Sequence, residues 1–259
     1  MFTAHTTFVG IDPTAGQRPF AYVALDHDLS LLALSQGSMD DVLAFVAGLR
    51  QAYVSVCGPR RPNQGVMQRE EIRQQFSPPP KPGRWTNFRL AEFQFRQHNI
   101  SSPQTPSREA KCPKWMRMAF QLYQRLENMG YRPYPEADAE RQYIEVYPHG
   151  SFCSLLGLTP FPKNTLEGRI QRQLVLYEQG LRIPDSMRFF EEITRHRLLQ
   201  GILPGEDLYS PAELDALVAA YTAWKVFARP QDTLLLGDPA EGAVVLPVPA
   251  LKHRYDSRP

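Results

Sequence analysis

The chain has 259 residues, and 42% of them are hydrophobic, including 14 Phe and 11 Tyr, which is material for a substantial core. That composition excludes disorder throughout, and no run approaches the ~20 apolar residues of a membrane span. The net charge of +2 conceals an asymmetry: residues 60–117 carry twelve Arg or Lys against four Glu, a balance of +8, and the remainder carries −6.

A basic segment on an acidic body is the charge pattern of a polyanion-binding surface, and equally of a basic segment docked on its own acidic host. Three scattered cysteines, Cys57, Cys112 and Cys153, form neither a disulfide framework nor a CxxC metal pattern. The start MFTAHTTFVGID lacks the charged, then apolar, profile of a signal peptide, so the expected location is cytoplasmic.

In chain order, TFVGID at 7–12 reads as a buried strand ending in an acid before Pro13. FAYVAL at 20–25 and LSLLAL at 29–34 predict two further strands across the turn Asp26-His27-Asp28. Ser38 opens a helix over 39–49, with Asp40 and Asp41 in the first turn where acids complement the helix dipole. YVSVC at 53–57 predicts a fourth strand, closed by Gly58-Pro59. Strand, strand, strand, helix, strand gives a mixed sheet with a helical crossover.

Residues 60–113 change character. They hold eight prolines, including Pro78-Pro79-Pro80, with one predicted helix over 88–97. Regular structure resumes with a helix over 114–128 stopped by Gly130 and a strand over 143–147. Helices are predicted over 151–156, 165–178 and 186–199. Ser210-Pro211 opens another helix to 228, with Ser210 as N-cap and Glu213 as capping-box acid, and 243–246 is a last short strand.

Three acids stand where core packing alone does not favour them. Asp12 ends an apolar strand, Glu145 lies within IEVY, and Asp215 sits on a helix with Ala212, Ala216, Ala219 and Ala223 on its side. Carboxylates in apolar surroundings need pairing, hydrogen bonds or a metal ion, and several together suit Mg²⁺ or Mn²⁺. Taken singly, Asp12 also reads as a turn cap, Glu145 as the wet face of an edge strand, and Asp215 as an exposed helix position.

VGIDPT, VCGPRRPN, YIEVYPHGSFCSLLG, PFPKNTLEGRIQRQLVL and ELDALVAAYTAW followed by GDPAEGAVVLP together resemble the domain-of-unknown-function family 429, described as predicted nucleases of ribonuclease H-like fold. The resemblance spans nearly the whole chain. It implies one α/β domain over 1–259, a ribonuclease H-like mixed β-sheet flanked by helices, with 60–113 as a long Pro-rich basic insertion after the fourth strand. It further implies Asp12, Glu145 and Asp215 as a converging catalytic and metal-binding set, and Arg89 with Glu92 as the family's Arg/acid pair. One position departs from the pattern: Cys57 stands where the family carries an acid, and a thiol is a poor Mg²⁺ ligand.

The expected activity is metal-dependent phosphodiester hydrolysis of nucleic acid with Mg²⁺ or Mn²⁺. Arg60, Arg61, Lys163 and Arg89 would contact substrate, and Trp85 would stack on bases, with the basic segment 60–117 as the nucleic-acid surface. The alternative is a non-catalytic nucleic-acid- or protein-binding member that has lost a complete metal site at Cys57. The aromatics Trp85, Phe88 and Trp115 equally suit core cover, and His149 reads as a turn residue, a proton shuttle or a ligand.

Overall fold

The computed structural model describes residues 6–14 and 18–256, apart from the side chain of Arg84. The first half of the chain forms strands β1 (Thr7–Asp12), β2 (Phe20–Leu25) and β3 (Leu31–Gly37), helix α1 (Met39–Ala47) and strand β4 (Ala52–Cys57). Helices α2 (Glu70–Arg73), α3 (Leu90–Gln97) and α4 (Lys114–Asn128) follow, then strands β5 (Arg132–Pro133) and β6 (Arg141–Val146). The second half holds helices α5 (Pro148–Leu156), α6 (Leu166–Glu178), α7 (Arg188–Glu192), α8 (Arg195–Leu199) and α9 (Pro211–Ala228), and the hairpin β7 (Leu234–Asp238) and β8 (Gly242–Leu246).

These strands form one mixed sheet in the order β3-β2-β1-β4-β6-β8-β7, with β5 pairing to β6. The meander β1–β3 is antiparallel, β4, β6 and β8 run parallel to β1, and β7 returns antiparallel on β8. Strand alternation splits the core into two layers. Phe8 of β1 joins α9, Phe152 of α5 and Leu176 of α6 on one face. Val9 and Ile11 join Val42 and Val46 of α1 and Leu122 and Leu126 of α4 on the other.

Helix α9 is hydrophobic almost all round, as a helix enclosed by its surroundings must be. Its alanines let it lie directly on β1. A Cβ placed on Gly10 would stand 1.9 Å from the backbone oxygen of Ala216 and 2.4 Å from the nitrogen of Ala220. The helix starts as the sequence predicts: Ser210 accepts the Glu213 N–H, and the Glu213 carboxylate accepts the Ser210 N–H.

Several boundaries differ from the sequence reading, each for a local reason. The third strand begins at Leu31 because Leu29 sits at φ 60 in a turn closed by the Asp26 carboxylate, which accepts the Asp28 and Ser30 N–H groups. The helix expected over 186–199 is two short helices. Ile193 is extended at the break, and Thr194 caps α8 by accepting the Arg197 N–H. Pro148 fills the first turn of α5, so that helix starts three residues early. The strand β7, unread in the sequence, is a short apolar run that pairs only through its hairpin with β8.

The Pro-rich segment after β4 is tied to the body by α3, which lies beside β7, and has its own apolar cluster of Val66, Met67, Phe88, Leu90 and Phe93. Trp85 belongs to that cluster, its ring centroid 5.7 Å from Phe88 and 5.5 Å from Phe93. Glu241, fully buried, accepts the backbone N–H groups of Gln64, Val66 and Leu90 and so fastens the segment to the β7–β8 turn.

The contact at Gly10 yields a direct test. Gly10→Ala places a methyl group against helix backbone that no side-chain rotation relieves, so it lowers unfolding stability by about 1–3 kcal/mol or more. Urea denaturation reads this as a lower midpoint, and an unchanged midpoint contradicts the close approach.

Candidate active site

The C-terminal ends of β1, β4 and β6 open into a cavity of about 1050 Å³. Parallel strands present their C-terminal ends to a crevice of this kind, where side chains leave the sheet and loops diverge. Asp12, Cys57, Glu145, Lys163 and Asp215 all reach its walls, so all three acids of the sequence reading border one space. They do not, however, gather into one cluster.

Asp12 follows Gly10 by two residues and so emerges on the α9 side of the sheet. The Ala216 backbone that meets Gly10 is next to Asp215, which puts Asp215 beside Asp12. Burial, then the Asp215 charge, pushes Asp12 from its ordinary 3.8 to about 7, although the Thr14 N–H donates to it at 2.9 Å. Burial also raises Asp215, against the pull of Lys163, whose Nζ lies 2.8 Å from Asp215 Oδ2. Burial works against the Lys163 ammonium, but Asp215 outweighs it and Lys163 is raised. Lys163 reaches in from the loop before α6, with its side chain 51% exposed.

Cys57 stands next to Asp12 across the parallel β1–β4 pair, two strand ends in register at Ile11 and Val56. Its thiol donates to the backbone oxygen of Asp215 at 3.4 Å. Burial, then Asp12 and Asp215, raise its pKa well above the ordinary value, so it is a neutral thiol and not an activated nucleophile.

Glu145 takes the other face. Its neighbours Ile144 and Val146 pack in the α9 layer, whereas Tyr143, of the same parity as Glu145, packs in the α4 layer. There Arg89 grips it with both ends of the guanidinium, Nη1 to Oε1 at 2.6 Å and Nη2 to Oε2 at 2.9 Å, and the Arg60 N–H donates to Oε2 at 3.0 Å. Arg89 is 2% exposed, and its Nη2 also donates to the carbonyls of Glu241 and Gly242. Its partner in sequence, Glu92, accepts the Arg89 N–H and both the N–H and hydroxyl of Thr105. This pair is therefore a buried lock between the Pro-rich segment, β6 and the β7–β8 turn.

The remaining sequence candidates separate likewise. Arg60 lies over the Tyr143 ring at 5.1 Å and pairs with Glu127 at 2.7 Å, and Arg61 reaches the Ala240 carbonyl at 3.4 Å; neither lines the cavity. Trp85 also stands outside it, whereas Trp115 and His149 form part of the wall. Burial, then Arg172 and Lys163, lower His149 to about 4, so its ring is neutral near pH 7. Arg172, unread in the sequence, belongs to the wall as well. The signal was its spacing on α6, four residues from both Gly168 and Leu176, which are buried on the same stripe.

Among the described residues, no group of three or more His, Cys, Asp or Glu is gathered closely enough to hold a metal ion. Asp12 and Asp215 are nevertheless a hard-oxygen pair. One divalent cation suits such a pair, because Mg²⁺ is commonly held by one or two carboxylates with water and substrate phosphate completing the shell.

The raised Asp12 pKa sets the sign of a pH effect. Its folded value of about 7 exceeds the ordinary 3.8, so the folded state binds the extra proton between these values. Stability from this group is complete below about pH 4 and is lost as pH rises through 7. Asp12→Asn is therefore expected to match the wild-type Tm near pH 4 and exceed it above pH 7. A Tm difference that does not grow with pH contradicts the strained pair.

No curated protein and no solved structure matches the chain. A family model described as protein of unknown function (DUF429) matches residues 58–242, from the turn after β4 to the start of β8. That stretch contains Glu145, Lys163, Arg172 and Asp215, and it covers well over half of the chain, which belongs to this family.

Proposed function

We propose that this cavity is the active site of a divalent-cation-dependent phosphodiesterase acting on nucleic acid. The observation that carries the reading is the pair of half-buried Asp12 and buried Asp215, both raised by desolvation at the end of β1 with Lys163 on one of them. The sheet order supports it: an antiparallel β1–β3 meander followed by parallel β4 and β6 is the layout of the ribonuclease H-like fold that the sequence motifs resemble. We therefore take the fold to be ribonuclease H-like, with residues 60–113 as its Pro-rich insertion.

Asp12 and Asp215 would hold one Mg²⁺ or Mn²⁺, which supplies charge neutralisation on the phosphate and a more acidic bound water. Glu145 supports the site through Arg89 rather than as a ligand. Lys163, half exposed on a loop, is placed to release Asp215 and take a phosphate oxygen. Arg108, Lys111 and Arg117, all exposed and near Trp115 of the wall in sequence, are basic groups suited to the backbone of a strand entering the cavity.

A second reading is favoured by Cys57, a neutral thiol bonded to the α9 backbone where the sequence resemblance implies an acid. On that reading the cavity binds nucleic acid without turnover. Incubation of the purified protein with Mn²⁺ and single-stranded, structured or branched DNA and RNA separates the two. The phosphodiesterase reading expects cleavage that Asp12→Ala and Asp215→Ala abolish and EDTA stops. Equal cleavage by Asp12→Ala and wild type contradicts it, and salt-dependent binding without cleavage selects the non-catalytic reading.

A further inference from the structure

Arg172 is 3% exposed, yet among the described residues no carboxylate lies within ion-pair distance of it. Asp215 acts on it only from beyond contact; a buried cation without a contacting carboxylate is costly, and buried charges are as a rule paired or ligand-bound. Its Nη1 donates to the carbonyls of Phe161 and Gly168, each at 2.8 Å. The guanidinium carbon lies 5.3 Å from the centroid of the Phe152 ring, a stacking contact that uses the face of the group. The rest of its edge has no hydrogen-bond partner among the described residues, and the residue forms part of the cavity wall.

A second feature stands beside it. The start of α5, Pro148 and His149, borders the same cavity, with no side-chain cap and no acid in its first turn. An open helix start carries partial positive charge and unsatisfied N–H groups. His149 is neutral near pH 7 and adds no competing anion. A guanidinium edge with donors left over and an open helix start lining one cavity are the chemistry of a phosphate clamp.

We propose that Arg172, with the start of α5, forms a second anion subsite in this cavity, and that it takes the terminal phosphate monoester of a nucleic-acid strand end. The enclosure of Arg172 favours a terminal group, because an internal phosphodiester has to carry chain away on both sides. The identification of the rest of the ligand as a nucleic-acid strand rests on the phosphodiesterase reading; the phosphate subsite does not. The substrate would then enter end-first, with the reacting phosphodiester near Asp12 and Asp215 and the terminal phosphate against Arg172.

Calorimetric titration of the full chain in EDTA tests this without turnover. The probes are inorganic phosphate, a dinucleotide bearing a terminal phosphate, and the same dinucleotide with hydroxyl ends. The expected result is saturable binding in the order phosphate-ended dinucleotide, inorganic phosphate, hydroxyl-ended dinucleotide. Arg172→Met is expected to weaken the phosphate-bearing probes at least about tenfold and leave the hydroxyl-ended one unchanged, a loss in line with removal of a charge-assisted pair. Arg172→Lys is expected to restore part of the loss.

Equal binding of phosphate probes by Arg172→Met and wild type overturns the proposal, as does equal affinity for the two dinucleotides or for the phosphate-ended dinucleotide and free phosphate. If Arg172→Met does not fold, the wild-type order and the Arg172→Lys weakening decide. No saturable phosphate binding by the wild type also overturns it. Arg172-dependent phosphate binding in a protein that cleaves nothing with Mn²⁺ leaves the subsite standing and removes the phosphodiesterase reading.

Discussion

The close approach of α9 to β1 at Gly10 sets the geometry on which the rest of the site depends. Any side chain at that position would drive the helix off the sheet, because the atoms in the way are the Ala216 oxygen and the Ala220 nitrogen. With the helix seated, Asp215 stands one residue from the contact on α9 and Asp12 two residues from it on β1. The same two residues of strand that bring Asp12 back to the α9 face put it beside a second acid. Packing therefore concentrates charge, and burial raises both carboxylates. The fold stores an electrostatic cost at the point where the proposed chemistry needs a cation or proton.

A second organising element, the Arg89–Glu145 pair, does the opposite. It gathers charge to neutralise it. Arg89 bonds both oxygens of Glu145 and the carbonyls of Glu241 and Gly242, while Glu241 accepts three backbone N–H groups of the Pro-rich segment. A buried pair of this kind adds little net stability over apolar packing, but loss of one partner strands the other. Its structural consequence is registration: a segment with eight prolines and few ladder hydrogen bonds is fixed to the sheet at defined atoms. One wall of the cavity owes its position to that registration.

The basic residues behind the charge asymmetry divide between docked and exposed. Part of the basic segment docks on the acidic body, as Arg60 does on Glu127 and Arg89 on Glu145. Another part, Arg108, Lys111 and Arg117, is exposed. Net charge over a window is blind to this division, because it counts a buried ion pair and a solvated side chain alike. The aromatic residues divide in the same way, Trp85 into an apolar cluster and Trp115 into the cavity wall.

The sequence by itself determined the elements whose causes are local. Alternation and apolar runs marked β1 and β2 at their observed bounds, helical periodicity marked α4, and the Ser210–Glu213 capping box with Pro211 marked the start of α9. It also marked Asp12, Glu145 and Asp215 as acids out of place and Cys57 as a departure from the pattern that the resemblance implies. Tertiary structure alone decided which of them meet. Glu145 is separated from Asp12 because side chains alternate across a strand and β6 turns that position toward α4 and Arg89. Arg89 spends its donors inside the fold and Arg172 keeps part of its edge for the cavity, although both are buried arginines, one at the start of a helix and one within a helix. That difference depends on partners more than fifty residues away for Arg89, and on Asp215 standing near Arg172 without contacting it, and neither is written in local spacing.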